Sequence, residues 1–379
     1  MGNRGRSPDL EAIRERGALF ATWPRLAGAI PWRRLGNWPS PLESHRVVSQ
    51  GRGLELLVKR EDLSADGYGG NKVRPLEIVF GAMESQGLGE LWSTGAYGSN
   101  HALAAVIHAR RLGLQSGAVL WPQPWSATAQ ENLVVTASLA DRLEFVGSVA
   151  HMVPKALWVR RTRKAWVMPP GAATPLGALG HAGAALELAY QLNERGAEVD
   201  TIVLPVGSTC TTVGLLVGTA LAHAIGLLPK MPRIAAVRVT PWPVTDANRI
   251  AWMAVRSAWL LKQRFAMAGL EAVPMAGGTG EITSDFRSFR RRIEVVGDEL
   301  GPGYGVPTVD AWRALSDFLH CGIRLDTTYS AKAAAHLFKR RTERVVFWST
   351  KSNVLLPSVD PERLAGLPRV VRSWLGFQE

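Results

Sequence analysis

Residues 91–122 read LWSTGAYGSNHALAAVIHARRLGLQSGAVLWP. The apolar run at 91–95 predicts a strand, NHALAAVIHARRLG at 100–113 predicts a helix stopped by Gly113, and SGAVLWP predicts a second strand. The same alternation extends both ways. Strands are expected in ELLVKRED (55–62), LEFVG (143–147), TIVLPVG (201–207) and RIAAVRVTP (233–241). Helices are expected at 76–87, over QENLVVTASLADR, at 150–165, at 181–195 and after 209. Strand and helix in turn mean an α/β fold built on parallel sheets. Residues 8–20 predict a short amphipathic helix, 31–44 an extended entry segment, and 242–300 helical decoration. At roughly 150 residues per domain, 379 residues predict two domains. Such folds bind ligands at the carboxyl ends of strands. The loops at 64–74, 95–101, 168–180 and 205–212 are therefore where chemistry is expected.

Composition narrows the classes. An apolar fraction of 46% with 20% charged residues describes a globular chain. The net charge of +12 is an arginine excess, 35 Arg against 9 Lys, which favours anionic ligands without naming one. Two cysteines, Cys210 and Cys321, exclude a disulfide framework, and the eight histidines show no metal-ligand spacing, so no metal is expected. Residues 1–30 lack the apolar run of a signal peptide, and a cytoplasmic location is expected. The uncharged stretch 209–229 holds His223 and ends in proline, which reads as a buried helix rather than a membrane span. KALWVRRTRKAW (155–166), RSFRRR (287–292) and KRRTER (339–344) read as solvated faces, and nucleic acid is not an expected partner.

Three loops carry candidate chemistry. Lys72 follows two glycines at the start of a helix, where a cation is disfavoured and a nucleophilic amine is helped. The segment from Gly207 to Thr211 (GSTCT) opens a helix after an apolar strand, with backbone N–H groups and hydroxyls able to cradle a small phosphate. Ser99, Asn100 and His101 open another helix and suit a carboxylate, although Ser99 alone also reads as a plain N-cap. An amine, a phosphate cradle and a carboxylate cradle together describe an enzyme that uses pyridoxal phosphate on an amino acid.

At this point KREDLSADGYGGNKVRPLE (59–77) closely resembles the lysine segment of the 1-aminocyclopropane-1-carboxylate (ACC) deaminase and D-cysteine desulfhydrase family. LGNWPSPLE (35–43), GSNHALAAVIHARRLGL (98–114), GAATPLGALGHAGAALELAYQL (171–192), GSTCTTVGLLVG (207–218), GPGYGVPT (301–308) and TTYSAKAAAHL (327–337) continue it, so it spans about residues 31–350. The resemblance implies a two-domain fold-type II architecture, each domain a mainly parallel twisted sheet flanked by helices. An N-terminal extension (1–30) would precede a large domain of 31–77 plus 177–379, a small domain would span 78–176, and pyridoxal phosphate would lie in the cleft between them. It implies a homodimer acting on a small amino acid.

Carried over by position, Lys72 would hold the cofactor and move the substrate proton, with Asn71 before it. Asn100 would face the cofactor's ring hydroxyl, and Ser99, Asn100 and His101 would take the substrate carboxylate. Gly207, Ser208, Thr209, Cys210 and Thr211 would form the phosphate loop. Tyr304 and Tyr329 would flank the substrate. ACC deaminases carry glutamate after the second tyrosine; here Ser330 stands there, and Thr350 matches the threonine that the desulfhydrase branch uses. A ring nitrogen left neutral favours β-elimination over cyclopropane opening, so the expected reaction gives a keto acid and ammonia. The alternatives are replacement at the β- or γ-carbon, or a homologue that binds the cofactor with altered catalysis. The chain departs from the family at Gly98, which stands in a glutamine place beside Tyr97, a residue expected to fill the substrate pocket. It also departs at Thr209 and Cys210, which stand in glycine places and keep their backbone donors provided φ is negative there.

Overall fold

The computed structural model describes residues 10–271, 282–340 and 344–377. Outside the described residues lie 1–9 of the expected N-terminal extension, 272–281 of the helical stretch, 341–343 of the last basic patch, and 378–379.

In chain order the elements are α1 (Leu10–Thr22), β1 (Leu42–Ser49), β2 (Arg52–Arg60), α2 (Val73–Ser85), β3 (Glu90–Ala96), α3 (Asn100–Arg111), β4 (Gln115–Trp121), α4 (Ala127–Leu139), β5 (Arg142–Phe145), α5 (Val149–Thr162) and β6 (Trp166–Val167). They continue with α6 (Pro175–Glu194), β7 (Thr201–Val206), α7 (Cys210–Ala224), β8 (Arg233–Arg238), α8 (Ala247–Met267), α9 (Ile282–Arg292), β9 (Ile293–Val296), α10 (Val309–Leu319), α11 (Ser330–Leu337), β10 (Val345–Ser349), α12 (Pro361–Ala365) and α13 (Arg369–Trp374).

They form two sheets. One runs β1-β2-β10-β7-β8-β9 and is parallel except for the β1–β2 hairpin. The other runs β5-β4-β3-β6 and is wholly parallel. Strand periodicity divides the larger core. Ile202, Leu204, Val346 and Trp348 face α1, α6, α7 and α8, while Val203, Val345 and Phe347 face α10 and α11. α7 is buried along its apolar length, as its composition predicts. No helix among the described residues is long and apolar enough to cross a membrane.

Four details differ from the sequence expectations. β1 extends to Ser49 and turns into β2 through Gln50 and Gly51, both at positive φ (50° and 74°), a tight hairpin within what reads as polar sequence. α6 begins at Pro175, capped by Thr174, whose hydroxyl accepts from Gly177 N at 3.0 Å; half of the expected 168–180 loop is therefore helix. The extension before residue 31 is built into the core, with Ile13, Leu19, Phe20 and Ile30 against α6. The last helices, assigned with the large domain, instead lay Leu364, Leu367 and Val371 on the smaller sheet beside Leu120 and Leu133.

Candidate active site

The carboxyl ends of strands from both sheets converge on one cavity of about 380 Å³. All four expected loops reach it: Asn71 and Lys72; Gly95, Ser99, Asn100 and His101; Pro170 and Gly171; and Gly207, Ser208, Thr209, Thr211 and Thr212. Tyr304, Tyr329 and Thr350 complete the wall. No acidic residue lines it among the described residues.

Lys72 sits at the N-terminus of α2, and its amine makes no hydrogen bond among the described residues. Burial pushes its pKa down, which favours the neutral amine. Its loop is clamped at several points. Gly70 N donates to Glu61 O (2.8 Å) and Asn71 N to Thr350 O (3.0 Å). Asn71 Nδ2 donates to Thr211 Oγ1 at 2.8 Å, tying the lysine loop to the start of α7. Two residues on, Arg74 reaches Glu61 at 2.7 Å and Glu187 at 2.8 Å, and Lys59 reaches Glu187 at 2.6 Å, all fully or almost fully buried. Arg74 and Lys59 hold Glu187 down to about pKa 2 against the opposing effect of burial. Gly171 has φ +65°, and a Cβ there would lie 1.9 Å from Ser208 Oγ and 3.4 Å from Lys72 Nζ. A side chain at 171 would therefore meet the Ser208 hydroxyl, on a backbone that favours glycine.

The loop before α7 corrects one expectation. Thr209 has φ +79° and ψ −16°, the left-handed conformation, so this β-branched residue takes a glycine's backbone. Its hydroxyl is buried without a partner, as is that of Thr212 one turn into the helix. Cys210 is a second correction: its thiol turns from the cavity to donate to Ala172 O at 3.3 Å, and burial pushes its pKa up to about 11. Only its backbone faces the helix start.

Ser99 caps α3, accepting from Ala102 N at 3.2 Å, and also lines the cavity. While it accepts that bond, the hydroxyl still has a proton to give. Asn100 Oδ1 accepts from Asn132 Nδ2 at 2.7 Å. Both ring nitrogens of His101 are buried without partners, and burial with the nearby Lys72 pushes its pKa down to about 3, leaving it neutral. The hydroxyls of Tyr304 and Tyr329 lie 2.5 Å apart, and burial raises both above the usual phenol value.

Two more expectations are overturned. Tyr97, the first residue past β3, points away from the cavity into the smaller core, edge-on to Phe145 (5.8 Å) and Trp374 (5.2 Å). Ser330 is not in the wall either; its hydroxyl donates to Asp326 Oδ1 at 2.6 Å, leaving Thr350 as the hydroxyl there. Sequence reasoning missed Gln123 after β4, Thr240 after β8, and Asn132 on α4, which also donates to Gly98 O at 2.8 Å. The strand-end rule points to the first two; the third is a contact made only by folding.

A family model described as pyridoxal-phosphate dependent enzyme matches residues 33–348. The chain is 34% identical to a putative 1-aminocyclopropane-1-carboxylate deaminase of Pyrococcus abyssi, over 55% of this chain and 62% of that one, so the match spans less than two thirds of that relative. It is 31% identical to the nocardicin C-9' epimerase of Nocardia uniformis subsp. tsuyamanensis (86% and 94%) and 30% identical to the D-cysteine desulfhydrase of Salmonella schwarzengrund (81% and 88%). The crystal structure of an ACC deaminase homologue shares the fold, with a TM-score of 0.64 at 22% identity over 94% of this chain and 99% of that one.

The residues fit the cofactor this implies. The cavity offers a part-buried amine without a hydrogen-bond partner among the described residues, and at a helix N-terminus it offers backbone donors with two unpartnered hydroxyls where an anion is favoured. With that fit and the match across 33–348, this chain belongs to the family of pyridoxal-phosphate dependent enzymes.

Proposed function

We propose that the chain is a lyase that eliminates the β-substituent of a small amino acid and releases a keto acid and ammonia. The observation that carries the choice of reaction is a cavity with one depressed lysine and no acidic residue among those described. Pyridoxal phosphate, when bound, supplies an aldehyde that condenses with amines and a ring that draws electrons from the substrate's α-carbon. Its phosphate would be held at the start of α7 by the backbone and hydroxyls of residues 207–212, its ring hydroxyl by Asn100, and its ring nitrogen by Thr350. A hydroxyl, unlike a carboxylate, does not keep a proton on that nitrogen. The weaker electron demand suits departure of a good leaving group better than ring opening.

Lys72, whose pKa burial lowers, would take the α-proton at Nζ. Ser99, Asn100 and neutral His101 would hold the carboxylate. Tyr304 and Tyr329, kept protonated by burial, would donate to the leaving group. The same reading gives a homodimer in the cytoplasm, with 78–176 as the smaller domain, and light scattering checks the pairing.

Purified protein loaded with cofactor is expected to show the visible band of the lysine-linked form and to release pyruvate, ammonia and sulfide from D-cysteine. Lys72→Ala is expected to lose both band and products. ACC turned over faster than D-cysteine would overturn the reaction assigned. A second reading, epimerisation at the α-carbon, is favoured by the match covering 94% of the Nocardia epimerase. Conversion of one enantiomer of the amino acid into the other in deuterated solvent, with deuterium at the α-carbon and without keto acid, would establish it.

A further inference from the structure

Gln123 reaches the cavity from the loop after β4, and Ser99, Asn100 and His101 reach it from the loop after β3. Its Oε1 accepts from Gly98 N at 3.0 Å. That bond fixes which end of the amide is which, since only the oxygen can accept. Nε2 therefore faces away from Gly98 N, and it donates to no protein acceptor among the described residues. The backbone is held too: Trp374 Nε1 donates to Gln123 O at 2.8 Å.

The neighbourhood explains why this amide stands where it does. A Cβ on Gly98 would lie 2.5 Å from Ala129 Cα and 2.4 Å from Ala129 Cβ, so α4 forbids a side chain at 98. The same Cβ position lies 3.1 Å from Gln123 Nε2. Gly305, next to Tyr304, would place a Cβ 3.5 Å from that nitrogen. The amide thus lies between the 98–101 loop and the tyrosine loop, with two N–H bonds unspent. An uncharged double donor there, in a cavity that Ser99 also lines, suits an anionic acceptor with several lone pairs.

We propose that Gln123 Nε2 binds the α-carboxylate of the amino-acid substrate, making Gln123 a specificity-determining residue supplied by a different strand from the 99–101 loop. This rests on the amino-acid reading above. The test titrates cofactor-loaded wild type, Gln123→Ala and Gln123→Glu with D-alanine, L-alanine and ethylamine. Alanine has no β leaving group, ethylamine is alanine without its carboxylate, and the readout is the change in the cofactor's visible band as the amine displaces Lys72.

Gln123→Ala is expected to weaken the better-bound alanine roughly 10- to 100-fold, the loss of one hydrogen bond to a charged group. Ethylamine should stay within about two-fold by the same reasoning, since it lacks the acceptor. Gln123→Glu keeps the acceptor for Gly98 N but opposes a carboxylate, so it should weaken alanine further while cofactor content and melting temperature stay at wild-type values. Equal losses for alanine and ethylamine, no loss for alanine, or lost cofactor in Gln123→Glu would each overturn the assignment. Wild type that responds to ethylamine but to neither alanine would overturn the amino-acid reading first, and this inference with it.

Discussion

Replacing Thr209 by glycine should make the unliganded protein more stable. Thr209 is 2% exposed, left-handed at φ +79°, and carries a buried hydroxyl with no partner. Releasing a β-branched residue from that backbone gains about 1–3 kcal/mol. Removing the unpartnered hydroxyl gains about 1 kcal/mol more. Against this stand about 1 kcal/mol for the lost buried methyl and about 0.5–1 kcal/mol for the freer unfolded glycine. The balance is a gain of about 0–2.5 kcal/mol. At about 2.1 cal/mol/K of unfolding entropy per residue, this chain's melting temperature moves by roughly 1.3 °C per kcal/mol, so a rise of up to about 3 °C is expected. With cofactor bound the sign of the hydroxyl contribution reverses if Thr209 Oγ1 meets the phosphate. The gain should then vanish and cofactor affinity should fall roughly 5- to 10-fold. Thermal melts of both forms, with Thr209→Ala as the control that drops the hydroxyl but keeps the strain, resolve the contributions. An unliganded Thr209→Gly protein that melts below wild type would refute the strain assignment.

Other outcomes follow from the same geometry. Glu187→Ala leaves buried Lys59 and Arg74 short of a partner and should cost about 3–5 kcal/mol; a thermal melt lowered by less than 1 °C would contradict it. Tyr97→Leu should lower stability by about 1–2 kcal/mol through its two lost ring contacts and leave the ratio of kcat/KM between two substrates unchanged. A changed ratio would return Tyr97 to the substrate pocket. Lys332 is buried, donates to Leu300 O at 2.7 Å, and is pushed down to about pKa 8. The unfolded chain keeps that proton to about pH 10.5, so stability should rise from pH 8 to 10. Denaturation of Lys332→Met should lack that part of the rise, and identical slopes would contradict the depressed value.

The layered fold was legible because parallel strands leave continuous apolar runs such as TIVLPV, and the covering helices begin and end on cap residues such as Ser99 and Gly113. The site loops were legible for the same reason, since they connect strand to helix. Edge elements were not. IEVV of β9 is too short to stand out beside RSFRRR, and SHRVVS of β1 alternates too weakly. The start of α6 is encoded in Thr174-Pro175, a capping hydroxyl followed by a proline suited to a first helical turn. Side-chain direction lay beyond reach: Tyr97, Cys210 and Ser330 occupy expected places, yet each turns to a partner distant in sequence or to a local carboxylate. Gln123 and Asn132 acquire meaning only when α3 and α4 are packed together.

Two sheets contribute separately to the cavity wall. Asn71, Lys72, Ser208, Thr209, Thr211, Thr212 and Thr350 come from the six-stranded one, while Gly95, Ser99, Asn100, His101 and Gln123 come from the four-stranded one. Mutational drift is thereby partitioned. Changes that retune which molecule is accepted can accumulate at one strand end while retention of the prosthetic group is guarded at another, and the chain can move between chemistries without passing through a form that has lost its colour.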